Sequence, residues 1–496
     1  MVKKRYNIIF GGPAGTGPNF LTNLLGDALV KQGYYVFYSR DYQSLIRGGH
    51  NFNVLTFSEE PVHSNDSTAD ILICLDENTE KLHSKKIVKG GVILKGHGEN
   101  SYYAGALFKL LCIDFKILDE LLKKEKRYEE NIKFAKQGYD EETKNVCKIL
   151  PKKKSLSFMN GNQGFSEGAV KSGIDVYFAY PMTPATPVLG ELASKQVEKN
   201  FIVLELENEI AVVNAGVGSA ITGAKTMVGT SGGGFDLMTE GLSLTGIAEV
   251  PLVFYLSQRP GPGTGVATYT AQGDLNIARH GGHGEFQRVV LAPGDSRESE
   301  ELVNQAFYFS QKYKVPSIVV SDKHLGESFY SSSEKAKIIS VPKINSLRRY
   351  NSYEIDSEGS ATENPEIIKK EIERRMKKIP LIEKDSKNFS RYEIYGNKNS
   401  NNVILSWGST KGAIIDAIQE LDVKFIQIKY IEPFPADIEK EIAGKNIILV
   451  ENNTTGQLGS LIEEKTGIRI NKKILRYDGR PFLRDELEKE IGRLMR

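Results

Sequence analysis

Three short strings between residues 180 and 264 place the strongest constraint on how this chain can fold. Residues 180–184 (YPMTP) end an apolar strand with two prolines, which fix φ and remove backbone donors, so the Thr183 hydroxyl stands on a stiff turn. Residues 207–209 (ENE) precede a run of small residues, where a backbone or a flat ring can approach closely. Residues 258–264 (QRPGPGT) place Arg259 beside a proline- and glycine-rich loop. Together the strings predict a pocket in which an anion can dock.

The region around these strings alternates between strands and helices. Apolar strands are predicted at 176–180, 202–205, 226–229, 253–256 and 317–321. This alternation is typical of a mainly parallel, doubly wound α/β sheet, in which ligand-binding loops lie at the carboxyl ends of the strands. Because Thr183, the glycine-rich segment 230–235 and Arg259 all follow strand ends, we expect them to share one edge of the sheet.

The N-terminal region opens with a strand, a glycine-rich turn at 11–17 and a helix of apolar periodicity. Such a turn lets a ligand approach the helix N-terminus, which favours anions. The spacing differs from the dinucleotide-binding fingerprint, and no acidic residue follows a second strand in the expected manner. Taken alone, the turn fits a ligand site and a tight structural turn equally well.

Composition excludes several classes of protein. A length of 496 residues suggests about three domains. The 65 basic and 63 acidic residues nearly balance, so no whole-chain field favours nucleic acid or a membrane surface. No apolar run reaches about 18 residues, and no signal-peptide pattern follows Met1, so we expect a cytoplasmic location and no membrane partner. The three cysteines form no CxxC pair and the seven histidines no HExxH, so we expect no metal or iron–sulfur cluster on this chain.

The three strings, with segments 230–240 and 271–275, resemble the α subunit of the 2-oxoacid:ferredoxin oxidoreductases, which depend on thiamine diphosphate and coenzyme A. The resemblance runs from about residue 161 to 327, and Met182 replaces the isoleucine that is usual in the family. It implies that Glu209 polarises the aminopyrimidine of thiamine diphosphate, and that Arg259 and Thr183 contact the substrate. The residues implied to bind the cofactor are Tyr180, Pro181, Glu209, Gly233 and Phe235.

Each catalytic candidate also has a purely structural alternative. Glu209 would otherwise be a surface helix residue, and Glu207 competes with it for the catalytic role. Arg259 would otherwise form a salt bridge at an interface, and Thr183 would cap its own turn. Because a planar guanidinium suits a carboxylate that must be held during decarboxylation, Arg259 ranks above Thr183.

The same family has a γ subunit, often fused ahead of α, that begins with a similar glycine turn and continues to a segment similar to residues 44–50. This resemblance makes four residues candidates for contacts to coenzyme A, namely Gly12, Gly15, Gly17 and Arg47. The alternative is that Arg47 and His50 cap neighbouring backbone groups.

The expected fold class is α/β with three domains. Residues 1–150 are expected to form a γ-type domain, and residues 158–335 a doubly wound domain of the pyrimidine-binding type found in thiamine diphosphate enzymes. Residues 336–400 are expected to form a crossover linker, irregular except for one helix at 365–378. Residues 401–496 resemble the C-terminal domain of transketolase-like enzymes, whose commoner role is subunit contact. There Lys411, near a predicted helix N-terminus, is a weaker candidate for anion binding.

The chain lacks a Gly-Asp-Gly segment of the kind that holds a metal-bound diphosphate. In the family this Mg²⁺ site and the iron–sulfur cluster belong to a separate β subunit. The resemblance therefore implies an αβ or (αβ)₂ assembly that passes electrons to ferredoxin and forms acyl-CoA and CO₂ from a 2-oxoacid and coenzyme A. The fused order favours 2-oxoglutarate, although two other kinds of relative share the strings: branched-chain enzymes, and broad-range 2-oxoacid enzymes that accept pyruvate.

Two other classes of protein stay open. A dinucleotide-dependent dehydrogenase is suggested only by the N-terminal glycine turn and leaves the strings at 180–274 unexplained. A non-catalytic scaffold paralogue would retain the fold without the chemistry, and the presence of Glu209, Thr183 and Arg259 argues against it.

Overall fold

The computed structural model describes residues 4–43, 49–344 and 351–495 and divides the chain into two compact units. Unit 1 contains the chain up to Met159, together with Glu327–Lys335 and Leu483–Lys489. Unit 2 contains Asn160–Gly326, Ala336–Phe482 and the last residues from Glu490. Both units mix helices with β-sheet, so the expected α/β class is confirmed.

The described residues form strands and α-helices that alternate along most of the chain. The strands are β1 (Arg5–Gly12), β2 (Tyr35–Asp41), β3 (Asn51–Ser58), β4 (Ala69–Cys74), β5 (Ile87–Leu94), β6 (Ser157–Asn160), β7 (Val176–Ala179), β8 (Ile202–Glu205), β9 (Thr226–Thr230), β10 (Leu252–Gln258), β11 (Val289–Leu291), β12 (Ser317–Asp322), β13 (Phe329–Ser332), β14 (Tyr392–Gly396), β15 (Asn402–Trp407), β16 (Lys424–Ile428), β17 (Tyr430–Glu432), β18 (Asn446–Glu451) and β19 (Lys472–Leu475). The helices are α1 (Pro18–Lys31), α2 (Glu77–His83), α3 (Asn100–Leu110), α4 (Phe115–Leu122), α5 (Tyr128–Glu141), α6 (Gly161–Lys171), α7 (Thr186–Lys199), α8 (Glu209–Ile221), α9 (Gly232–Ala248), α10 (Leu275–His280), α11 (Ser296–Tyr313), α12 (Lys323–Glu327), α13 (Pro365–Met376), α14 (Lys378–Ser386), α15 (Lys411–Ala417), α16 (Glu439–Ile442), α17 (Gln457–Thr466) and α18 (Arg484–Met495). Among the helices that the structure describes, none combines the length and apolar character that a bilayer-spanning segment needs.

Unit 1 is built on a seven-stranded mixed sheet in the order β5-β4-β1-β3-β2-β13-β6. Strand β1 pairs in parallel with β4 and antiparallel with β3. The glycine-rich turn follows β1 and leads into α1, where Gly17 is the N-cap with φ of 94° and Pro18 occupies the first turn. The buried side chains of β1, including Ile8 and Phe10, share a core with α1 and α3.

Unit 2 contains a second seven-stranded sheet, in the order β17-β11-β12-β10-β9-β7-β8. All neighbouring strands pair in parallel except β17, which pairs antiparallel with β11. Strands β9 and β10 are buried along their whole length, as expected for parallel strands that are covered on both faces. The doubly wound, mainly parallel sheet predicted from the sequence is therefore present.

A third sheet, also in unit 2, has five strands in the order β14-β16-β15-β18-β19. Strand β14 is antiparallel to β16, and the other pairs are parallel. Residues of this sheet, such as Leu405 and Ile426, belong to the same buried cluster as Val228 and Phe254 of the larger sheet. The two sheets of unit 2 are therefore joined by one continuous apolar core.

The stretch 335–400 is more regular than the sequence predicted. Helix α13 begins after Asn364, whose side chain accepts hydrogen bonds from the amides of Glu366 and Ile367, but it ends at Met376. A second helix, α14, follows after one residue, and β14 joins the third sheet. The prediction missed α14 because Pro380 resembles a helix breaker. In the structure Pro380 lies in the first turn of α14, where no intrahelical donor is needed.

Candidate functional site

The first and third strings meet at one edge of the unit 2 sheet. Strands β7, β9 and β10 are parallel neighbours, so the segments that follow them emerge side by side. Nη1 of Arg259, just after β10, donates to the backbone oxygen of Thr183 at 2.7 Å. The Thr230 hydroxyl at the end of β9 lies 4.0 Å from the sulfur of Met182. The sheet thus brings together three segments that are far apart in sequence.

Glu209 lies at this edge as the first residue of α8. The preceding Asn208 caps the helix, since its side chain accepts from the amide of Ala211 at 2.9 Å. Glu209 is only 3% exposed, whereas Glu207 is exposed to solvent. Its Oε1 is buried and has no hydrogen-bond partner within the described part of the chain. Leaving a buried carboxyl oxygen without a donor is costly, so this oxygen is suited to a donor from a ligand.

The glycine turn at the start of α9, residues 231–234, lies directly against Glu209. A Cβ atom on Gly234 would approach within 2.7 Å of Glu209 Oε1 and would also strike the Thr230 hydroxyl, so only glycine fits there. By contrast, Gly233 is exposed, with open space around its missing side chain. The hydroxyl of Ser231 is buried and is also without a partner among the residues that the structure describes. The turn therefore forms a cradle with unmet hydrogen-bonding groups.

The other residues implied to bind the cofactor have different surroundings. Tyr180 is 38% exposed at the end of β7, and Pro181 is half-buried beside it. The ring of Phe235 is fully buried and packs edge-on against Phe254, with their centroids 5.9 Å apart. Tyr180 and Gly233 are thus open to a ligand, whereas the Phe235 side chain belongs to the core.

Asp274 is a further ionisable group at this edge that sequence reasoning did not single out. One of its carboxyl oxygens, Oδ2, is buried and unpaired within the described ranges. Burial, and then the nearby Asp236, raise the pKa of Asp274 to about 6, while Arg259 opposes the shift. Burial lowers the pKa of Arg259, and Asp274 and then Glu209 oppose that change. The available sequence signal was the polar string 272–274, which directly precedes α10.

Two glutamines hold the segment that carries Asp274. The amide of Asp274 donates to Oε1 of Gln258 at 2.8 Å, and Nε2 of Gln258 donates to the backbone oxygen of Ser321 at 3.0 Å. Nε2 of Gln272 donates to the backbone oxygen of Trp407 at 2.7 Å. Both glutamines are fully buried, so the segment is fixed relative to the sheet.

In unit 1 the glycine turn borders a cavity of about 620 Å³. Gly15 lines this cavity together with Thr16 and the basic residues Lys124, Lys126 and Arg127. The sequence did not single out these basic residues, because their approach to the turn depends on how α4 and α5 fold back.

The other candidates for contacts to coenzyme A have structural surroundings or lie outside the described residues. A Cβ on Gly12 would strike Thr16, and one on Gly17 would strike Asn100, so both positions need close packing. Arg47 and the rest of 44–48 lie outside the described residues. Nε2 of His50 lies 2.8 Å from Nε2 of His83, so His50 is paired with a neighbouring side chain.

Lys411 does not offer a free cation for an anion, contrary to the weaker expectation from the sequence. It is buried at the start of α15 and forms ion pairs with Asp295 and with Glu298, the latter at 2.7 Å. Glu298 also accepts from the amide of Gly294 and from Gln427, both at 2.7 Å. The lysine therefore neutralises two carboxylates inside unit 2.

The described residues contain no group of three or more His, Cys, Asp or Glu side chains arranged to hold a metal ion. The three cysteines are free thiols. Burial raises the pKa of Cys74 to about 11 and that of Cys147 to about 12, so both are protonated near neutral pH.

Two family models match the chain. The model described as "Pyruvate flavodoxin/ferredoxin oxidoreductase, thiamine diP-bdg" matches residues 167–378, which include every segment of the unit 2 site. The model described as "Pyruvate ferredoxin/flavodoxin oxidoreductase" matches residues 7–97. The fold and the site thus define a subunit of a thiamine diphosphate-type oxidoreductase.

Individual relatives agree with this class. A 2-oxoacid:ferredoxin oxidoreductase subunit alpha of Sulfolobus sp is 29% identical over 99% of this chain and 97% of its own length. The 2-oxoglutarate synthase subunit KorA of Methanocaldococcus jannaschii is 28% identical over 60% of this chain and 88% of its own length. A solved 2-oxoglutarate:ferredoxin oxidoreductase of Magnetococcus marinus aligns over 100% of this chain and 100% of its own chain, with a TM-score of 0.88 and 23% sequence identity. This likeness shows that the two proteins share a fold. The chain belongs to the 2-oxoacid:ferredoxin oxidoreductases, as an α subunit of a multi-subunit enzyme.

Proposed function

We propose that this chain supplies the pyrimidine-binding half of a thiamine diphosphate site and acts with a β subunit in the oxidative decarboxylation of a 2-oxoacid. The products are acyl-CoA and CO₂, with the electrons passed to ferredoxin. The observation that carries the proposal is the buried Oε1 of Glu209, which lies unpaired against the glycine turn of α9. The residues present fit the cofactor, because a ring nitrogen that shares a proton with Glu209 would satisfy this oxygen.

The roles of the residues follow from their positions. When bound, thiamine diphosphate supplies an electron sink for the loss of CO₂. Glu209 holds a proton in common with the aminopyrimidine, and Gly233 leaves room for the ring beside the turn. Arg259 receives the substrate carboxylate with the donors that Thr183 does not use, because a guanidinium carries five N–H groups. The Thr183 hydroxyl adds one hydrogen bond to the same carboxylate or to the keto oxygen.

The favoured substrate is 2-oxoglutarate. The support comes from the relatives named 2-oxoglutarate synthase, although other relatives carry only the broader name 2-oxoacid:ferredoxin oxidoreductase.

Coenzyme A is proposed to bind through unit 1. The cavity of about 620 Å³ combines Gly15 and Thr16 with three basic side chains, and such a combination suits phosphate groups.

The domain assignments are also proposals. Residues 1–150 are proposed to form the γ-type domain, and residues 158–335 the pyrimidine-binding domain. Residues 336–400 remain the proposed crossover and 401–496 the transketolase-like domain.

The diphosphate site, its Mg²⁺ and the iron–sulfur cluster are proposed to lie on the β subunit. In support of a partner, large apolar side chains are exposed on the edge strand β8, after β7, and on α8 and α9: Tyr180, Ile202, Leu204, Ile210 and Leu237. Exposed apolar groups that cluster on a few neighbouring elements are typical of protein–protein interfaces.

The partner requirement can be tested with purified chains. We expect the chain alone to bind thiamine diphosphate only weakly and to show no iron–sulfur absorbance, because half of the site is missing. Mixing with a cluster-bearing β subunit should give 2-oxoglutarate-dependent reduction of a viologen acceptor, which is measured optically. Viologen reduction by the chain alone would contradict the proposal, and an active mixture that prefers pyruvate would contradict only the substrate.

The substitution Arg259→Lys tests the carboxylate contact. Because lysine retains the charge but loses the planar fork, we expect the KM for the 2-oxoacid to rise by the equivalent of about 1 to 3 kcal/mol. The KM for coenzyme A, measured in the same assays of the assembled enzyme, should change much less. If αβ association weakens while the kinetics of the remaining complex are unchanged, Arg259 is an interface residue.

A further inference from the structure

The carboxyl groups of Glu209 and Asp274 flank the glycine turn of α9, and the proposed function uses only that of Glu209. Glu209 lies against Gly234, as described above. A Cβ on Gly232 would approach within 2.9 Å of the carboxyl carbon of Asp274, so Asp274 lies against the other end of the same turn. Like Glu209 Oε1, its Oδ2 is buried without a partner in the part of the chain that the structure describes. The turn is thus lined on both sides by carboxyl oxygens that lack donors.

Asp274 also lies beside the end of β10 that carries Arg259, because its backbone amide donates at 2.8 Å to the side chain of Gln258, the residue before Arg259. The charged groups that act on Asp274 are Asp236 of α9 and Arg259, which follows β10. Those that act on Arg259 are Asp274 and Glu209 of α8. Because the backbone of Asp274 is fixed by Gln258, its carboxyl group cannot withdraw far when another charge arrives.

A substrate carboxylate that docks on Arg259 therefore meets a second negative charge if Asp274 is ionised. Two carboxylates that share one site cannot both be charged without a cost in free energy. A protonated Asp274 removes this repulsion and turns an unpaired oxygen into a possible O–H donor. Substrate binding and protonation of Asp274 should then favour each other.

We propose that Asp274 is a positioning residue of the 2-oxoacid site, and that Arg259 holds the substrate carboxylate most tightly when Asp274 carries a proton. One proton is then taken up with each substrate anion. This inference rests on the proposed function, because it requires that Arg259 receives a 2-oxoacid.

The test is the pH dependence of the KM for 2-oxoglutarate in the assembled αβ enzyme, between about pH 5.5 and pH 8.5. Below the pKa of Asp274, which is about 6, the acid form is present and the KM should be constant. Above it, the KM should rise by up to about tenfold per pH unit, the limit for linkage to one proton. Asp274→Asn mimics the acid form, so its KM should stay low across the range.

Asp236→Asn is the matched control, because Asp236 is an exposed carboxylate that acts on Asp274. Without this neighbour the rise in KM should remain and begin at a lower pH. A parent KM that does not change with pH would overturn the inference, as would an Asp274→Asn enzyme that keeps the parent slope. A loss of kcat of about 100-fold in Asp274→Asn would also overturn it, since Asp274 would then act in the chemistry. If the parent complex oxidises no 2-oxoacid at all, it is the proposed function that fails.

Discussion

Replacing Glu209 by glutamine is expected to lower turnover of the assembled enzyme by about 100-fold or more, the usual size of an acid–base contribution. Glutamine keeps the volume and the hydrogen-bonding shape of the side chain but cannot share a proton with the aminopyrimidine. The effect is measured as kcat at saturating 2-oxoacid and coenzyme A. Complex formation, followed by gel filtration, should be unchanged, because Glu209 begins a helix that Asn208 already caps.

Glu209→Gln should not destabilise the chain. Glutamine has nearly the same volume as glutamate, and the buried Oε1 of Glu209 has no donor in the structure as described, so the substitution breaks no hydrogen bond of this oxygen. The melting temperature of the lone chain is therefore expected to stay the same. Glu207→Gln is the control, and because Glu207 is exposed we expect a mild effect on turnover. If Glu207→Gln lowers kcat severely and Glu209→Gln lowers it only mildly, the catalytic role belongs to Glu207.

The largest expected effect on stability comes from Lys411→Met. Methionine fills a similar volume but leaves Asp295 and Glu298 without their buried cation. Breaking a buried ion pair by removing one partner costs about 3 to 5 kcal/mol. The measurement is the urea concentration at the midpoint of unfolding of the purified chain.

The control for Lys411→Met is Lys465→Met, because the pair of Lys465 with Glu464 is largely exposed. That substitution should cost at most about 1 kcal/mol. If Lys411→Met lowers the free energy of unfolding by as little as this, Lys411 does not stabilise the fold, and it becomes a candidate for anion binding again.

The same cluster predicts how stability depends on pH. Burial alone would raise the pKa of Asp295, but Lys411 and then Arg297 lower it well below its usual range. A carboxyl whose folded pKa is lowered contributes its full stabilisation above its unfolded pKa, near pH 4, and loses it as the pH falls further. The midpoint difference between the parent chain and Lys411→Met should therefore shrink below about pH 4.

The strings at 180–184, 207–209 and 258–264, with segments 230–240 and 271–275, predicted the family, and the alternation of apolar strands with helices predicted the mainly parallel sheet. The reason is physical: strands separated by helices must pair in parallel, and parallel neighbours bring the segments at their carboxyl ends together. This rule predicts that Arg259 and Thr183 lie close together. It does not predict which atom of Thr183 accepts the hydrogen bond, which in the structure is the backbone oxygen.

Other features depended on contacts that no local pattern records. Glu207 and Glu209 are equivalent as sequence, and burial against Gly234 separates them. The resemblance implied that Phe235 contacts the cofactor, but its ring is buried and packs against Phe254 in the core. In both cases the first turn of a helix decides which side chain faces the sheet edge.

The sequence by itself determined the class of the protein through its resemblance to a known family. It also determined the order of most strands and helices and the segments expected to meet a ligand, because these follow from periodicity and turn chemistry along the chain. Only the tertiary structure decided the electrostatics. Lys411 is neutralised by carboxylates more than 100 positions away, and Asp274 lies against Gly232 and acts on Arg259 from another loop. The charge that a side chain presents depends on burial and on neighbours from distant segments, and packing alone brings these together.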